Sequence, residues 1–229
     1  SSWSLIGQTG YILRTQGDSF LVNRFYSVAV NAAMGINSQV LSAAGLFVNN
    51  FQAAFNPQLT KSYAANEIDE HVSLLFRVSK FSYFLMLILS LPIMFNIDLI
   101  LGIWLVEVPE YTALFCIYGL ISNLVISMSA PLGTSILATG KIKKYQISLL
   151  LVNISGIAFS FIALKLGFKP YIVAIINIIV QVCILFFRLY FVRKGVQFKI
   201  SNYFKNIIYP VFFVTSLSTI SPYYSRSFS

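Results

Sequence analysis

Two apolar runs decide the fold: YQISLLLVNISGIAFSFIAL at residues 145–164 and PYIVAIINIIVQVCILFFRLYF at residues 170–191. A helix needs about 20 predominantly apolar residues to cross a hydrocarbon core that is about 30 Å thick. Both runs meet that length, and three further apolar stretches precede them at 30–57, 81–105 and 111–138. The sequence therefore predicts an all-α membrane protein, a polytopic bundle of transmembrane helices.

Composition supports the membrane assignment. Hydrophobic residues make up 57% of the 229-residue chain and charged residues 10%, and the mean hydropathy is +0.78. Such a chain would not stay in solution as a globule. The net charge of +9 lies in short segments beside the spans, where membrane topology and anionic lipid headgroups explain it. We therefore expect membrane lipids, and no nucleic acid, as partners.

The basic residues alternate along the chain and predict its orientation. Ten of the 16 Lys and Arg residues fall in three segments at 59–80, 138–146 and 192–206. The intervening gap at 105–112 has no basic residue and carries Glu107 and Glu110. Cytoplasmic segments are the ones enriched in Lys and Arg. The three basic segments are therefore predicted to be cytoplasmic loops.

The first 24 residues are long enough to cross a membrane but carry charge. Arg14, Asp18 and Arg24 lie there, with Gln8, Gln16 and Asn23 between them. An ionisable side chain at bilayer depth costs at least about 2.5 kcal/mol on insertion scales, so it normally faces a bundle interior or a hydrated cavity. This helix is expected to be surrounded by protein or water on much of its surface.

The next span carries a continuous stripe of small and amide side chains, spaced alternately by three and four residues. Its members are Asn31, Gly35, Ser38, Ser42, Gly45, Asn49, Gln52 and Asn56. Small residues allow membrane helices to approach closely, and their polar neighbours hydrogen-bond between helices. The same stripe could instead line a hydrated pathway suited to sugar hydroxyls. Both interpretations remain open, and each can hold at a different depth.

The remaining polar residues are assigned simple roles. Arg188 shares a helical face with Asn177 and Gln181 but is expected to reach out to headgroups. His71, beside three acidic residues, is expected to be solvated. The sequence has no phosphate-binding glycine loop, no His/Cys metal cluster and no nucleophile elbow. It therefore predicts that the protein is not an enzyme and holds no metal.

Three stretches carry a family resemblance. They are NPQLTKSYAANEIDEHVSLLFRVSKFSYF at residues 56–84, IWLVEVPEYTALF at 103–115 and ATGKIKKYQ at 138–146. In order and spacing they resemble the Wzx-like polysaccharide or oligosaccharide flippases. These belong to the superfamily that also contains MATE exporters and the lipid II flippase MurJ.

The resemblance implies a transporter of two six-helix lobes that face each other across a central cavity and open it alternately to either leaflet. It covers only the C-terminal half of that architecture. Residues 1–206 correspond to the second lobe, with about six spanning helices, and 207–229 to a partial further hydrophobic segment and a truncated tail. Because the chain has no initiator Met, we expect it to begin in mid-protein and to work with a missing N-terminal lobe.

The resemblance also implies a ligand, an undecaprenyl-pyrophosphate-linked oligosaccharide that crosses a bacterial inner membrane. Arg14 and Arg24 are the candidates for its pyrophosphate, because Arg makes bidentate hydrogen bonds to phosphate. Asn31, Ser38, Ser42 and Asn49 complete the candidate cavity. Arg14 could instead pair with Asp18, and Arg24 could reach the outer headgroups.

No cofactor is expected, but transport could be coupled to protons or sodium. Asp18 is the candidate coupling residue, with a static Arg14 pair as the alternative. Two other functions stay open for the chain as a whole. One is a MATE-like, cation-coupled exporter of small molecules, which would favour acidic cavity residues. The other is a membrane enzyme of glycan assembly, which would need a large outward loop with clustered Arg, His or acidic residues.

Overall fold

The chain folds as a bundle of helices. The structure is a computed structural model that describes residues 2–196 and 198–226, and those residues contain no strand. The main helices are α1 Ser2–Phe25, α2 Val28–Ala64, α3 Ile68–Phe95, α4 Ile97–Trp104, α5 Thr112–Ala138, α6 Lys143–Lys165 and α7 Ile172–Val196. The chain ends in α8 Ile200–Tyr203, a π-helical turn Phe204–Ile208 and α9 Tyr209–Arg226. The prediction of an all-α fold is confirmed.

Four of these helices, α3, α5, α6 and α7, are long and apolar enough to cross a membrane. The chain is therefore a multi-pass membrane protein. Helices α1 and α2, with 24 and 37 residues, exceed the required length. Because of their polar residues, these two helices are not apolar enough to be counted as membrane spans. Length and composition therefore establish four spans and not the expected number of about six.

The basic segment 59–80 is not a loop, contrary to expectation. Helix α2 continues to Ala64 and α3 starts at Ile68, so only a short turn separates them. Asn66 occupies that turn with φ of 61°, in the left-handed region that Asn tolerates better than most residues. A helix satisfies its backbone hydrogen bonds internally, so it can continue past the apolar core into a charged region. The basic residues of this segment therefore lie on helices rather than in a loop.

The apolar stretch 81–105 is likewise divided. Helix α3 ends at Phe95 and α4 begins at Ile97. Between them Asn96 has a non-helical φ of −119°, and its backbone N–H donates to the Pro92 carbonyl oxygen. Asn favours helix ends because its side chain competes for backbone hydrogen bonds. Hydropathy takes no account of this local competition, so it did not predict the break at Asn96.

Five helices form a ring. Helix α1 packs on α6, α6 on α7, α7 on α5 and α5 on α2, and α1 also contacts α2, which closes the ring. Helix α3 lies behind the ring against α2 and α5. The segment from α8 to α9 packs on α3, where Tyr83 Oη and Thr215 Oγ1 are 2.8 Å apart. The expected division at residue 207 falls inside the π-helical turn.

One end of the ring is filled by an apolar cluster, which we call the apolar plug. Its buried members are Leu21, Val22, Val30, Ala33, Phe115, Leu164, Val173 and Ala174. They come from the end of α1, the start of α2, the start of α5, the end of α6 and the start of α7. Because the helices alternate in direction, all of these helix ends meet at the same end of the bundle. The plug therefore lies at the end of the bundle opposite the basic segments.

Candidate functional site: a polar cavity inside the helix ring

A cavity of about 650 Å³ lies within the ring. It occupies the half of the bundle in which α1 and α6 begin and α5 and α7 end. Its polar lining consists of Gln8, Tyr11, Ser38, Ser42, Asn49, Gln52, Asn123, Ser127, Thr134, Tyr145, Gln146, Asn153, Gln181 and Arg188. None of its lining residues is Asp, Glu, Lys or His. The wall is therefore neutral and rich in amides and hydroxyls, with one cation.

The stripe on α2 lines the cavity over part of its length and packs against α5 at its end. Ser38, Ser42 and Asn49 lie on the cavity wall. At the far end of the stripe, Thr134 Oγ1 of α5 donates to Asn56 Oδ1 at 3.1 Å. The stripe is thus a cavity lining in its middle and a packing contact with α5 at its C-terminal end.

Gln52 joins α2 to α5 through the backbone. Its Nε2 donates to the Ser127 carbonyl oxygen at 2.9 Å. In a regular helix that carbonyl would accept from residue 131, but Pro131 has no N–H to give. The buried carbonyl therefore receives its partner from the neighbouring helix, as buried backbone groups require. One turn or more away, Asn123 Nδ2 donates to the Leu41 carbonyl oxygen at 3.3 Å.

Arg188 is the cation of the cavity wall and was not predicted to be a site residue. Its Nε donates to Tyr145 Oη at 3.0 Å, and its Nη1 donates to Ser129 Oγ at 2.8 Å. The guanidinium lies beside Gly133, where an added Cβ would be 3.5 Å from Arg188 Nε, an ordinary contact distance. Across the described residues the one ion pair is that between Arg14 and Asp18. Arg188 is therefore held by neutral groups, and no carboxylate compensates its charge.

A signal for Arg188 was present in the sequence. Asn177 and Gln181 share its helical face, and both turn inward: Asn177 Nδ2 donates to Ser122 Oγ at 3.2 Å, while Gln181 lies on the cavity wall. A polar face shared by three residues indicates the bundle interior. The position near a helix end, which suggested contact with headgroups, was the weaker signal.

Arg14 lies away from the cavity and pairs with Asp18. Its Nε is 2.5 Å from Asp18 Oδ2, and both side chains are buried, with exposed fractions of 3% and 8%. The guanidinium packs on Gly156 of α6, where a Cβ would overlap its Nη1 atom. The structural alternative, an Arg14–Asp18 pair one turn apart, is thus formed. Neither residue is part of the cavity lining.

The two remaining predicted residues also lie outside the cavity. Arg24 is exposed near the end of α1, beyond the apolar plug. Asn31 Oδ1 accepts a hydrogen bond of 2.7 Å from Ser19 Oγ, which ties α2 to α1. Of the predicted cavity residues, the structure therefore brings together Ser38, Ser42 and Asn49, and places Arg14, Arg24 and Asn31 elsewhere.

His71 is fully buried, so the expectation of a solvated side chain is wrong. Its Nδ1 lies 3.0 Å from the Leu59 carbonyl oxygen and 3.1 Å from Ser62 Oγ. Its Nε2 lies 2.7 Å from Ser135 Oγ of α5. The acidic neighbours in sequence point outward from the first turn of α3, whereas His71 turns inward and joins α2, α3 and α5. It is a structural link outside the cavity.

Comparisons with protein family models, with curated proteins and with solved structures each found no match to this chain. The fold, the cavity and its single cation carry the functional proposal.

Proposed function

We propose that the chain is one lobe of a flippase for lipid-linked oligosaccharides. Its ligand would be an undecaprenyl-pyrophosphate glycan, such as an O-antigen or capsule repeat unit. The protein would move this glycan from the cytoplasmic to the periplasmic leaflet of a bacterial inner membrane. In this proposal α1 and α2 cross the membrane together with the four apolar helices, and a first lobe faces the cavity from the other side.

The observation that carries the proposal is Arg188, a cation without a carboxylate partner inside an otherwise neutral cavity. The barrier to flipping is the headgroup, because phosphates and sugars lose their hydrogen bonds to water when they enter hydrocarbon. A guanidinium replaces part of that hydration through charge-assisted hydrogen bonds to phosphate oxygens. Tyr145 and Ser129 use only its Nε and one Nη1 hydrogen, which leaves donors for a ligand.

The neutral part of the wall suits the sugars. Ser38, Ser42 and Asn49 on one side and Gln146, Asn153 and Gln181 on the other offer amides and hydroxyls. These groups both donate and accept, as sugar hydroxyls do. They hold no fixed charge, so a bound glycan can move along them without breaking ion pairs.

The same wall disfavours the two alternatives. The MATE-like, cation-coupled exporter would favour a carboxylate on its cavity wall. Asp18 is instead buried in its pair with Arg14 and is not on the wall. An enzyme of glycan assembly needs a general acid or base, and the lining includes no Asp, Glu or His. Coupling to protons or sodium through Asp18 remains part of the proposal and would act at the α1–α6 contact.

The test is transport in vesicles. The protein is reconstituted with a fluorescent undecaprenyl-pyrophosphate oligosaccharide, and an impermeant quencher reports how fast the label changes leaflet. Arg188→Ala should slow the exchange by about tenfold or more, because it removes charge-assisted hydrogen bonds to phosphate. Arg188→Lys should recover part of the rate, since it keeps the charge but loses the fork geometry.

Arg77→Ala is the matched control, because Arg77 is exposed on α3 and does not line the cavity. It should leave the rate unchanged. Wild-type protein that gives no exchange above empty vesicles, both alone and with a first lobe, would refute the flippase proposal. An Arg188→Ala variant that exchanges lipid at the normal rate would refute the phosphate contact.

A further inference from the structure

A second cavity, of about 500 Å³, lies at the end of α7 and is separate from the polar cavity in the ring. Arg193, Phe198, Lys199, Ile200 and Ser201 line it, and we call it the rim cavity. It combines two cations and a hydroxyl with two apolar side chains and contains no carboxylate. That combination suits a group that carries a phosphate at one end and hydrocarbon at the other.

The residues around the rim cavity are typical of a membrane surface. Arg193 belongs to the last turn of α7, a helix long and apolar enough to cross a membrane. In the same turn, Lys194 Nζ lies 4.4 Å from the centre of the ring of Tyr190, which is one turn earlier. Near the start of α6, Lys143 Nζ lies 4.7 Å from the centre of the Trp3 ring. Tyr and Trp concentrate where hydrocarbon meets headgroups, so both pairs favour a position of this end of the bundle near the headgroups.

The charge around the rim cavity is uncompensated. Lys141, Lys143, Lys144 and Lys194 are exposed at the same end of the bundle as Arg193. None of them takes part in an ion pair with a residue that the structure describes. A cluster of this kind beside a membrane helix attracts anionic lipids, with each Lys or Arg adding to the affinity. The patch alone is diffuse, and the rim cavity is an open concavity within it where two of the cations lie beside apolar side chains.

We propose that the rim cavity binds the phosphate of an anionic membrane phospholipid. Arg193 and Lys199 hold the phosphate, and Ser201 donates to one of its oxygens. Ile200 contacts the glycerol and the first methylene groups, and the largely buried Phe198 forms the apolar floor beneath them. The site does not depend on transport by the protein, because phospholipid phosphates are present at both membrane surfaces. A free phosphate shares the charged contacts but has nothing to place against Phe198 and Ile200.

The experiment measures lipid retention by native mass spectrometry after reconstitution in mixed phosphatidylcholine and phosphatidylglycerol nanodiscs. Arg193→Ala with Lys199→Ala should lower phosphatidylglycerol retention by more than about tenfold, since each charge is expected to contribute about fivefold. Arg193→Lys with Lys199→Arg should retain the lipid. Lys165→Ala with Lys169→Ala removes the same charge from the other end of the bundle and is the matched control.

Loss of retention in the rim variant, with normal retention in the control, supports the site. Equal loss in both variants, or no loss in either, overturns it and leaves only diffuse attraction. Competition with soluble glycerol phosphate separates the two sources of phosphate: if it displaces the lipid at equal concentration, the site binds free phosphate and the lipid assignment is wrong. Helical content and elution volume show whether each variant is folded. The variant Arg193→Lys with Lys199→Arg keeps both charges, so retention by it shows that the loss in the Ala variant comes from the missing charges.

Discussion

Gln52 Nε2 donates a hydrogen bond of 2.9 Å to the Ser127 carbonyl oxygen, which Pro131 leaves without its helical donor. A proline in one helix is thus balanced by an amide in the next. The relationship links two features that look unconnected in sequence, a polar stripe on α2 and a helix breaker in α5. It also holds the two helices together beside the polar cavity.

Gln52→Leu should therefore destabilise the protein by about 1–3 kcal/mol, because it leaves a buried carbonyl oxygen without a partner. Thermal unfolding in detergent measures the loss. Adding Pro131→Ala should recover part of it, since residue 131 then supplies an N–H to that carbonyl. Gln8→Leu, at an exposed position on the same cavity wall, is the control and should have little effect. Equal losses for Gln8→Leu and Gln52→Leu would contradict this explanation.

The Arg14–Asp18 pair gives a second prediction. Asp18→Asn leaves the Arg14 charge buried and unpaired, which should cost about 3–5 kcal/mol. The melting temperature and the yield of folded protein in membranes should both fall. Changing Arg14 to Gln as well removes the unpaired charge and should restore much of the loss. A single variant as stable as the wild type would show that the pair contributes nothing to folding.

The coupling role of Asp18 is tested separately, in the double variant Arg14→Gln with Asp18→Asn. If Asp18 carries the coupling ion, an imposed proton or sodium gradient should no longer accelerate transport, although the protein remains folded. If the pair is only structural, the response to the gradient should persist. The comparison uses the vesicle assay with and without the gradient.

Gly156 predicts a packing effect at the α1–α6 contact. Gly156→Ala places a methyl group against Arg14 Nη1 and 2.8 Å from Val180 Cγ2. Arg14 is held by Asp18, so it cannot move away freely, and we expect a loss of about 1–3 kcal/mol. Gly35→Ala is the control because no atom lies within 4 Å of the added carbon. That variant should be neutral or gain up to about 1 kcal/mol from helix propensity. Thermal unfolding compares the two.

The proposed orientation can be tested by labelling single cysteines in intact cells. Val108 and Lys141 are both exposed, at opposite ends of the bundle. In a background with Cys183→Ser, an impermeant thiol reagent should modify Val108→Cys and spare Lys141→Cys until the membrane is opened. Cys116 is buried and should not react. The reverse pattern would invert the topology and the proposed direction of transport.

Part of the cavity could be predicted because its signal is local. Helical spacing placed Ser38, Ser42 and Asn49 on one face, and the structure turns that face inward. The two arginines in the first helix could not be placed in the same way. A charged residue in a membrane helix can be stabilised either by facing a hydrated cavity or by pairing with a buried partner. Helical spacing does not distinguish these two arrangements. For Arg14 the neighbouring Asp18 and the glycine at position 156 decide in favour of the partner.

The sequence by itself determined that the chain is helical, that it lies in a membrane and that most of its basic residues gather at one end. These properties depend on whether each residue by itself prefers water or lipid, and that preference can be read directly from the composition and the order of the sequence. Only the tertiary structure decided that Arg188 faces a cavity, that His71 is buried among three helices and that an apolar plug closes the other end. Those outcomes depend on which helix lies beside which, because a polar group is stable only where a neighbouring helix supplies its partner.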